Sequence, residues 1–443
     1  MRRKLSTLLL TLTFLLVFSI NAFAANADLP QIYGKTGIVI DVDTGEIVYA
    51  KGIDESPMYP ASTTKLLTAL LFAENKKPTD TIKYTPTAAK QPQYALYDLV
   101  GKSKITTNDT MTADDVMKSL LLFSANDAAY MIAESVAGTP KQFEDMMNNK
   151  IKQLGLKNTH FVTPNGLDNG INNHYTSAYD LSVIAKEAYK NPWVKKVMNI
   201  KQDKIEISNG AIAYITNRNK LLGTKIDTAF ADKVGIDLNQ LPASNAVCVA
   251  GKTGYTSKSG RCLVAIFEKD GRKLCGVVMK SLYDAKDTYV FNDMAKIINW
   301  SYAAKRVPLY KANTEVKKVT LKYKPLKFIG PEKEIQVPLV VKKDVEYYDN
   351  EVNKSEVKTD FELSNLKVGK LDKDTSAGNL VIKERNAVKK YELYPTISSG
   401  SIVKQNILLY IGLVGAVVIV ILLITLLVKA ISKNSNRRRR RRF

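Results

Sequence analysis

Tyr59-Pro60-Ala61-Ser62-Thr63-Thr64-Lys65 runs straight into Leu66-Leu67-Thr68-Ala69-Leu70-Leu71-Phe72-Ala73, with no further charge before Glu74. A run of that kind predicts a helix buried nearly all round. Pro60 favours an extended entry, and Ser62 suits a helix start. Residues three apart share a helix face, so Ser62 and Lys65 can touch. A serine hydroxyl is a poor nucleophile until a neighbour takes its proton, and a lysine can do so only when neutral. Apolar burial and a second nearby cation both lower a lysine pKa. The helix N-terminus directs backbone N–H groups at developing negative charge. The same spacing recurs at Ser355 and Lys358, Ser364 and Lys367, and Ser401 and Lys404. Those pairs lie in polar or juxtamembrane sequence with no buried helix behind them, and read as chance.

Outward from this stretch, the 443 residues are 45% hydrophobic and 24% charged, a balance that suits two or three folded domains. The net charge of +22 is concentrated at the ends, in Arg2, Arg3 and Lys4 and in Lys429, Lys433 and Arg437 through Arg442. The remaining positive excess suits an anionic surface or polymer. No nucleic-acid motif accompanies it, so nucleic-acid binding is not expected. Residues 1–24 read as a secretory signal: a basic start, an apolar core, then Ala22-Phe23-Ala24. Residues 407–428 form an uncharged span of 22 residues, enough for one transmembrane helix. The basic tail, 429–443, belongs on the cytoplasmic side by the positive-inside rule. The expected topology is an extracytoplasmic body held at the membrane by its C-terminus.

Between these ends the chain reads as 25–305, then a small all-β domain over 306–396 rich in valine and lysine, then a linker over 397–406. In the first part, Asp43-Thr44-Gly45 predicts a β-hairpin. Short strands are expected around Ile82 and Ile105. A capped helix follows Thr112, a second runs from Asn126 to about Val136, and others cover Leu181 to Tyr189 and about Ala285 to Ala303. Asp270-Gly271 predicts a hairpin that places Cys262 opposite Met279 and Cys275 opposite Ile266. The two sulfurs would then stand roughly 13 Å apart along the ladder, against Cα separations below about 7 Å in a disulfide. Cys248, Cys262 and Cys275 are therefore expected as buried strand residues. Strands and helices clustered in this way predict an α+β fold, an antiparallel sheet with helices packed on it.

Three motifs stand in order: Ser62-Thr-Thr-Lys65, Ser124-Ala-Asn126 and Lys252-Thr253-Gly254. The set is the signature of penicillin-recognising serine enzymes. Lys35-Thr36-Gly37 precedes the nucleophile and opens the first hairpin, so it is set aside. Phe161-Val162-Thr163-Pro164-Asn165-Gly166-Leu167 and His174-Tyr175-Thr176-Ser177-Ala178-Tyr179-Asp180 extend the likeness. Over about residues 30 to 305 the chain resembles the D-alanyl-D-alanine carboxypeptidases, the low-molecular-mass penicillin-binding proteins. The resemblance implies the DD-peptidase and β-lactamase type of fold, followed here by the small β domain and one C-terminal transmembrane helix.

It also implies roles. Ser62 would attack the carbonyl between the two terminal D-alanines of a peptidoglycan stem peptide, and Lys65 would take its proton. Ser124 would relay a proton to the leaving amine, and the Asn126 side chain would bind peptide backbone. Lys252 would face the substrate carboxylate, helped by the hydroxyls of Thr253 and Thr256. Gly254 would let the substrate strand lie close. The N–H groups of Ser62 and Tyr255 would form the oxyanion hole. β-Lactams would be covalent inhibitors, and no cofactor or metal is required. Asn165 stands where histidine is usual and is given no role, and His174 is expected to be a structural hydrogen-bonding residue. Two rivals remain. A serine β-lactamase of the commonest class would carry an E-x-x-L-N loop, but Glu187-Ala188-Tyr189-Lys190-Asn191 lacks the leucine. A membrane-tethered wall-binding protein without turnover would have no need of Ser62, Lys65, Ser124 and Lys252 together.

Overall fold

Two left-handed residues, Asp270 (φ 49°) and Gly271 (φ 79°), turn the chain between strands Gly260–Lys269 and Arg272–Ser281. That backbone twist matches antiparallel neighbours, which is why Asp-Gly marks such hairpins. In the computed structural model these are β4 and β5 of a sheet that also holds β1 (Thr36–Asp41), β2 (Ile47–Lys51) and β3 (Val247–Thr256). Its order is β2-β1-β5-β4-β3, and every pairing is antiparallel. The structure describes residues 28–439 except 93, 102–103, 287, 328–329 and 386. The signal segment expected over 1–24 and residues 440–443 of the basic tail lie outside these.

Alternation along the strands gives this sheet two apolar faces. Ile38, Ile40, Val264, Ile266, Cys275 and Val277 point to one side, where Leu181, Ile184 and Ala185 of helix α3 (Ala178–Lys190) join them. Val39, Leu263, Phe267, Leu274 and Val278 point to the other and meet Met294, Ile298 and Trp300 of α4 (Thr288–Ala303). Gly276 leaves room for α4, because a Cβ there would strike the Met294 sulfur. All three cysteines are buried and unbonded to one another. Cys275 does face Ile266, but the ladder shifts between Arg261 and Leu263, beside a left-handed Lys280 (φ 52°). The expected pairing of Cys262 with Met279 falls in that shift and is not made.

Other expectations need local correction. The strand expected near Ile105 lies at Thr110–Thr112, where it pairs with Thr81–Lys83. A helix at Pro140–Gln153 and a hairpin of Gln202–Glu206 with Ile212–Thr216 were not anticipated.

The described chain divides into two units, the first running to Lys305 and taking in Tyr348–Lys354, the second made of Arg306–Tyr347 and the residues from Ser355 onward. Tyr348–Lys354 lies within the stretch expected as the β domain. It joins the first unit because the Asn350 and Asn353 amides both donate to the Ile47 carbonyl, each at 2.9 Å.

The second unit holds a sheet of β6 (Glu315–Tyr323), β7 (Lys333–Val341), β8 (Lys358–Leu363), β9 (Gly378–Lys383) and β10 (Val388–Pro395). Its order is β6-β7-β10-β9-β8, around Val337, Leu339, Leu380, Ile382 and Leu393. The stretch expected as a linker is largely helix α5 (Ser399–Gln405). Ser398 and Ser401 cap it reciprocally, each side chain accepting from the other's N–H, and Ile402 is buried in this unit's core. Helix α6 (Ile407–Arg439) follows. Its apolar window, within Ile407–Lys433, has a mean hydropathy of 3.2 and no buried part. By length and composition it can cross a bilayer.

Candidate active site

Ser62 sits in a 3-10 turn, Ala61–Thr64, and the α-helix α1 (Lys65–Asn75) starts only at Lys65. The entry is not extended. Pro60 is helical (φ −78°, ψ −20°), and its carbonyl accepts both the Thr63 N–H (3.2 Å) and the Thr63 hydroxyl (2.7 Å). Ala61 is left-handed (φ 49°), which costs a non-glycine residue about 1–2 kcal/mol. Two glycines brace this strained turn. A Cβ on Gly254 would come within 2.9 Å of Pro60 O and 3.1 Å of Thr63 N. The close neighbour of Gly254 is thus the nucleophile's own turn. Gly166 (φ 84°) lies against the Ala61 carbonyl, and a Cβ there would run into it and come within 2.8 Å of Thr64 Oγ1.

Gly166→Ala is therefore expected to displace Ser62 and slow its acylation by roughly a hundredfold, the scale set by an ångström of misplacement. The rate of labelling by a fluorescent penicillin, with a thermal melt alongside, checks this. An unchanged rate would mean that the loop does not brace the turn.

Residues Lys65 through Phe72 of α1 are buried, as the apolar run predicts. The Lys65 ammonium nitrogen has three oxygen neighbours: Ser62 Oγ at 2.9 Å, Asn126 Oδ1 at 2.9 Å and the Asn165 carbonyl at 2.7 Å. Burial pushes its pKa well below the ordinary lysine range, Lys252 and Arg218 push the same way, and Asp127 opposes them. A neutral amine has two N–H groups and one lone pair. Asn126 Oδ1 and the Asn165 carbonyl can only accept, so they take the two hydrogens. In that neutral form the lone pair faces the Ser62 hydroxyl.

The second motif lies where a π-turn, Ser119–Phe123, meets α2 (Asn126–Ala137). Ser124 is left-handed there (φ 75°). Lys252, on the edge strand β3, donates to Ser124 Oγ (2.8 Å) and to the Thr253 carbonyl (2.9 Å). Burial and then Arg218 lower its pKa to about 7. Ser62, Lys65, Ser124, Asn126 and Lys252 are thus brought together. Asn126 holds Lys65, a contact that differs from the expected one to substrate backbone. Thr256 Oγ1 donates to Asp168 Oδ2 (2.8 Å), so its hydroxyl is already engaged within the protein. Thr253 is half-buried beside Lys252, and Tyr255 is exposed, stacked on Tyr283 and beneath Arg261.

A family model described as D-alanyl-D-alanine carboxypeptidase matches residues 21–282, more than half of the chain and all three motifs. The chain belongs to that family. Within it, the chain is 28% identical over 399 residues to the D-alanyl-D-alanine carboxypeptidase DacF of Bacillus subtilis (strain 168), covering 88% of this chain and 92% of the relative. It is 27% identical over 300 residues to the D-alanyl-D-alanine endopeptidase of Escherichia coli (strain K12), covering 67% of this chain and 86% of that one. The crystal structure of penicillin binding protein 5 from Haemophilus influenzae shares the fold. Its TM-score is 0.54 at 24% identity, covering 84% of this chain and 98% of that one.

Family membership makes three unexpected residues informative. Asn165 contributes its backbone carbonyl to Lys65, and its side-chain amide donates to Gln91 Oε1 (3.2 Å). Arg218 lies in the turn after the Ile212–Thr216 strand. It stacks beneath Tyr94 (4.3 Å) and Phe123 (5.3 Å) and adds positive charge near both lysines. Asp168 holds Thr256. Arg218 and Asp168 carry no periodic or motif signal in the sequence, and the motif that holds Asn165 does not reveal the role of its carbonyl. His174 is buried and structural: its Nδ1 accepts from Val162 N–H (3.0 Å) and Thr163 N–H (3.3 Å). Nε2 therefore carries the proton and donates to Thr64 Oγ1 (2.9 Å). Glu187, the carboxylate weighed for a β-lactamase, pairs with Lys190 at 2.8 Å near the end of α3.

Proposed function

We propose that the chain is a serine D-alanyl-D-alanine carboxypeptidase that removes the terminal D-alanine from peptidoglycan stem pentapeptides through an acyl-enzyme on Ser62. What carries this reading is the lone pair of Lys65 facing the Ser62 hydroxyl, with both N–H groups spent on acceptors that cannot donate. Lys65 takes the hydroxyl proton as Oγ attacks the scissile carbonyl. The N–H groups of Ser62 and Tyr255 receive the oxyanion. The leaving amine of D-alanine takes its proton through Ser124, which Lys252 holds by a hydrogen bond. Lys252, Arg218 and the hydroxyl of Thr253 face the substrate carboxylate, and Thr256 supports that end through Asp168. Gly254 lets β3 and the Ser62 turn close on each other. Water then releases the shortened peptide. A β-lactam follows the same first step and stays attached.

On this reading the first unit is the peptidase domain, and α6 anchors the protein in the membrane with its basic end in the cytoplasm. The test is to incubate the full chain in detergent with a stem pentapeptide and measure free D-alanine, while a labelled penicillin is mapped to its peptide. Release of D-alanine with the label on Ser62 is expected. Label on another residue, or folded protein with neither label nor release, sinks the assignment.

A further inference from the structure

Strand β6 ends at Tyr323 and β7 begins at Lys333, and both strand ends, with Pro325 between them, bond to residues at the start of α6. Asn406, just before α6, donates through Nδ2 to the Tyr323 hydroxyl (3.0 Å) and accepts from Lys333 Nζ (2.9 Å). Tyr410, in the first turn of α6, donates to the Pro325 carbonyl (3.2 Å). At ~1.5 Å of rise per residue, Tyr410 stands only about 5 Å beyond Ile407. These three bonds fix the connection at the depth where the apolar helix begins. In a bilayer that depth is the headgroup layer, where tyrosines with one polar end collect.

The same connection is basic. Lys322, Lys324, Lys327 and Lys333 are exposed, and so is Lys404 on neighbouring α5. Lys327 is left-handed (φ 57°), and its N–H closes a tight turn on the Lys324 carbonyl (3.0 Å). Lys322 faces Glu332 (3.7 Å) and Glu334 (3.5 Å). Among the described residues, Lys324, Lys327 and Lys404 have no carboxylate partner within the unit. We propose that Lys324, Lys327 and Lys404 form a foot resting on anionic lipid headgroups, holding the small β unit on the membrane surface from which α6 descends. The proposal rests on reading α6 as the membrane helix. A lysine near an anionic surface contributes roughly a fivefold gain in association, weakened by salt within a Debye length.

The experiment places the full chain in nanodiscs of phosphatidylcholine alone, or of phosphatidylcholine mixed with phosphatidylglycerol. Backbone hydrogen exchange is followed over residues 322–334, with 372–376 of the same unit as the control. Exchange of 322–334 should slow roughly fivefold or more in the anionic discs while the control stays level. Lys324→Glu with Lys327→Glu should erase that difference, yet still enter the discs and take up penicillin as the parent does. Equal exchange in both lipids, with the chain inserted, overturns the foot and leaves the anchor standing. A chain that stays out of both discs overturns anchor and foot together.

Discussion

A chain carrying Ser62→Ala should take up no labelled penicillin, and its release of D-alanine should fall on the order of 10⁶-fold, as when a serine peptidase loses its nucleophile. The effect is chemical because, among the described residues, Ser62 supplies the one hydroxyl bonded to Lys65 Nζ. Ser124 is the nearest alternative in kind, but its hydroxyl is engaged by Lys252 and lies in another motif. The fold should survive. Ser62 is half-buried, and the hydrogen bond between its Oγ and Lys65 is worth about 1 kcal/mol. The melting temperature should therefore move by only a few degrees. Intact protein that still forms an adduct would remove Ser62 from the centre of the reaction.

Lys65→Arg should lower acylation by roughly 10²–10⁴-fold, the usual contribution of a positioned base, although the formal charge is kept. Arginine stays protonated throughout the working range and has no lone pair to offer. The pH profile separates this from simple misfit. In the parent, only neutral Lys65 works, so acylation should rise with pH and level off once the amine is deprotonated. Burial, Lys252 and Arg218 bring that plateau well below the ordinary lysine range. The arginine variant should show no rising limb over the same range. Lys65→Met, of similar length and no charge, controls for folding and should be equally slow. A variant arginine enzyme with the parent's rate and pH profile would make Lys65 an electrostatic group and place the base elsewhere.

Much of the fold was legible because alternation and apolar runs are strong local signals. Leu66 through Phe72 could only be a buried helix, and Asp270-Gly271 could only be a tight turn between strands. The motif residues identified the cluster because Ser62, Lys65, Ser124, Asn126 and Lys252 act through their side chains. Asn165 escaped because it acts through its backbone carbonyl, a contact that side-chain identity does not reveal. Arg218 escaped because its neighbours, Tyr94 and Phe123, come from distant parts of the chain. Gly254 stands out for the substrate strand it would admit, but its place against the Ser62 turn is not legible, since only the fold brings Pro60 and Thr63 against it. The helix Ser399–Gln405 was hidden by its polar composition, although Ser398 and Ser401 have the spacing of a capping pair.

The burial of Lys65 also determines when in the life of the chain the serine becomes reactive. In an unfolded polypeptide Lys65 is an ordinary ammonium group with a pKa of about 10.4, and it takes no proton from Ser62 at neutral pH. Its neutral form is favoured only once the fold has buried it and brought up the positive charges of Arg218 and of Lys252, 187 residues later in the chain. A ribosome must release well over half of the chain before that can happen. The nascent protein therefore travels with a disarmed serine, and completing the fold is the step that arms it.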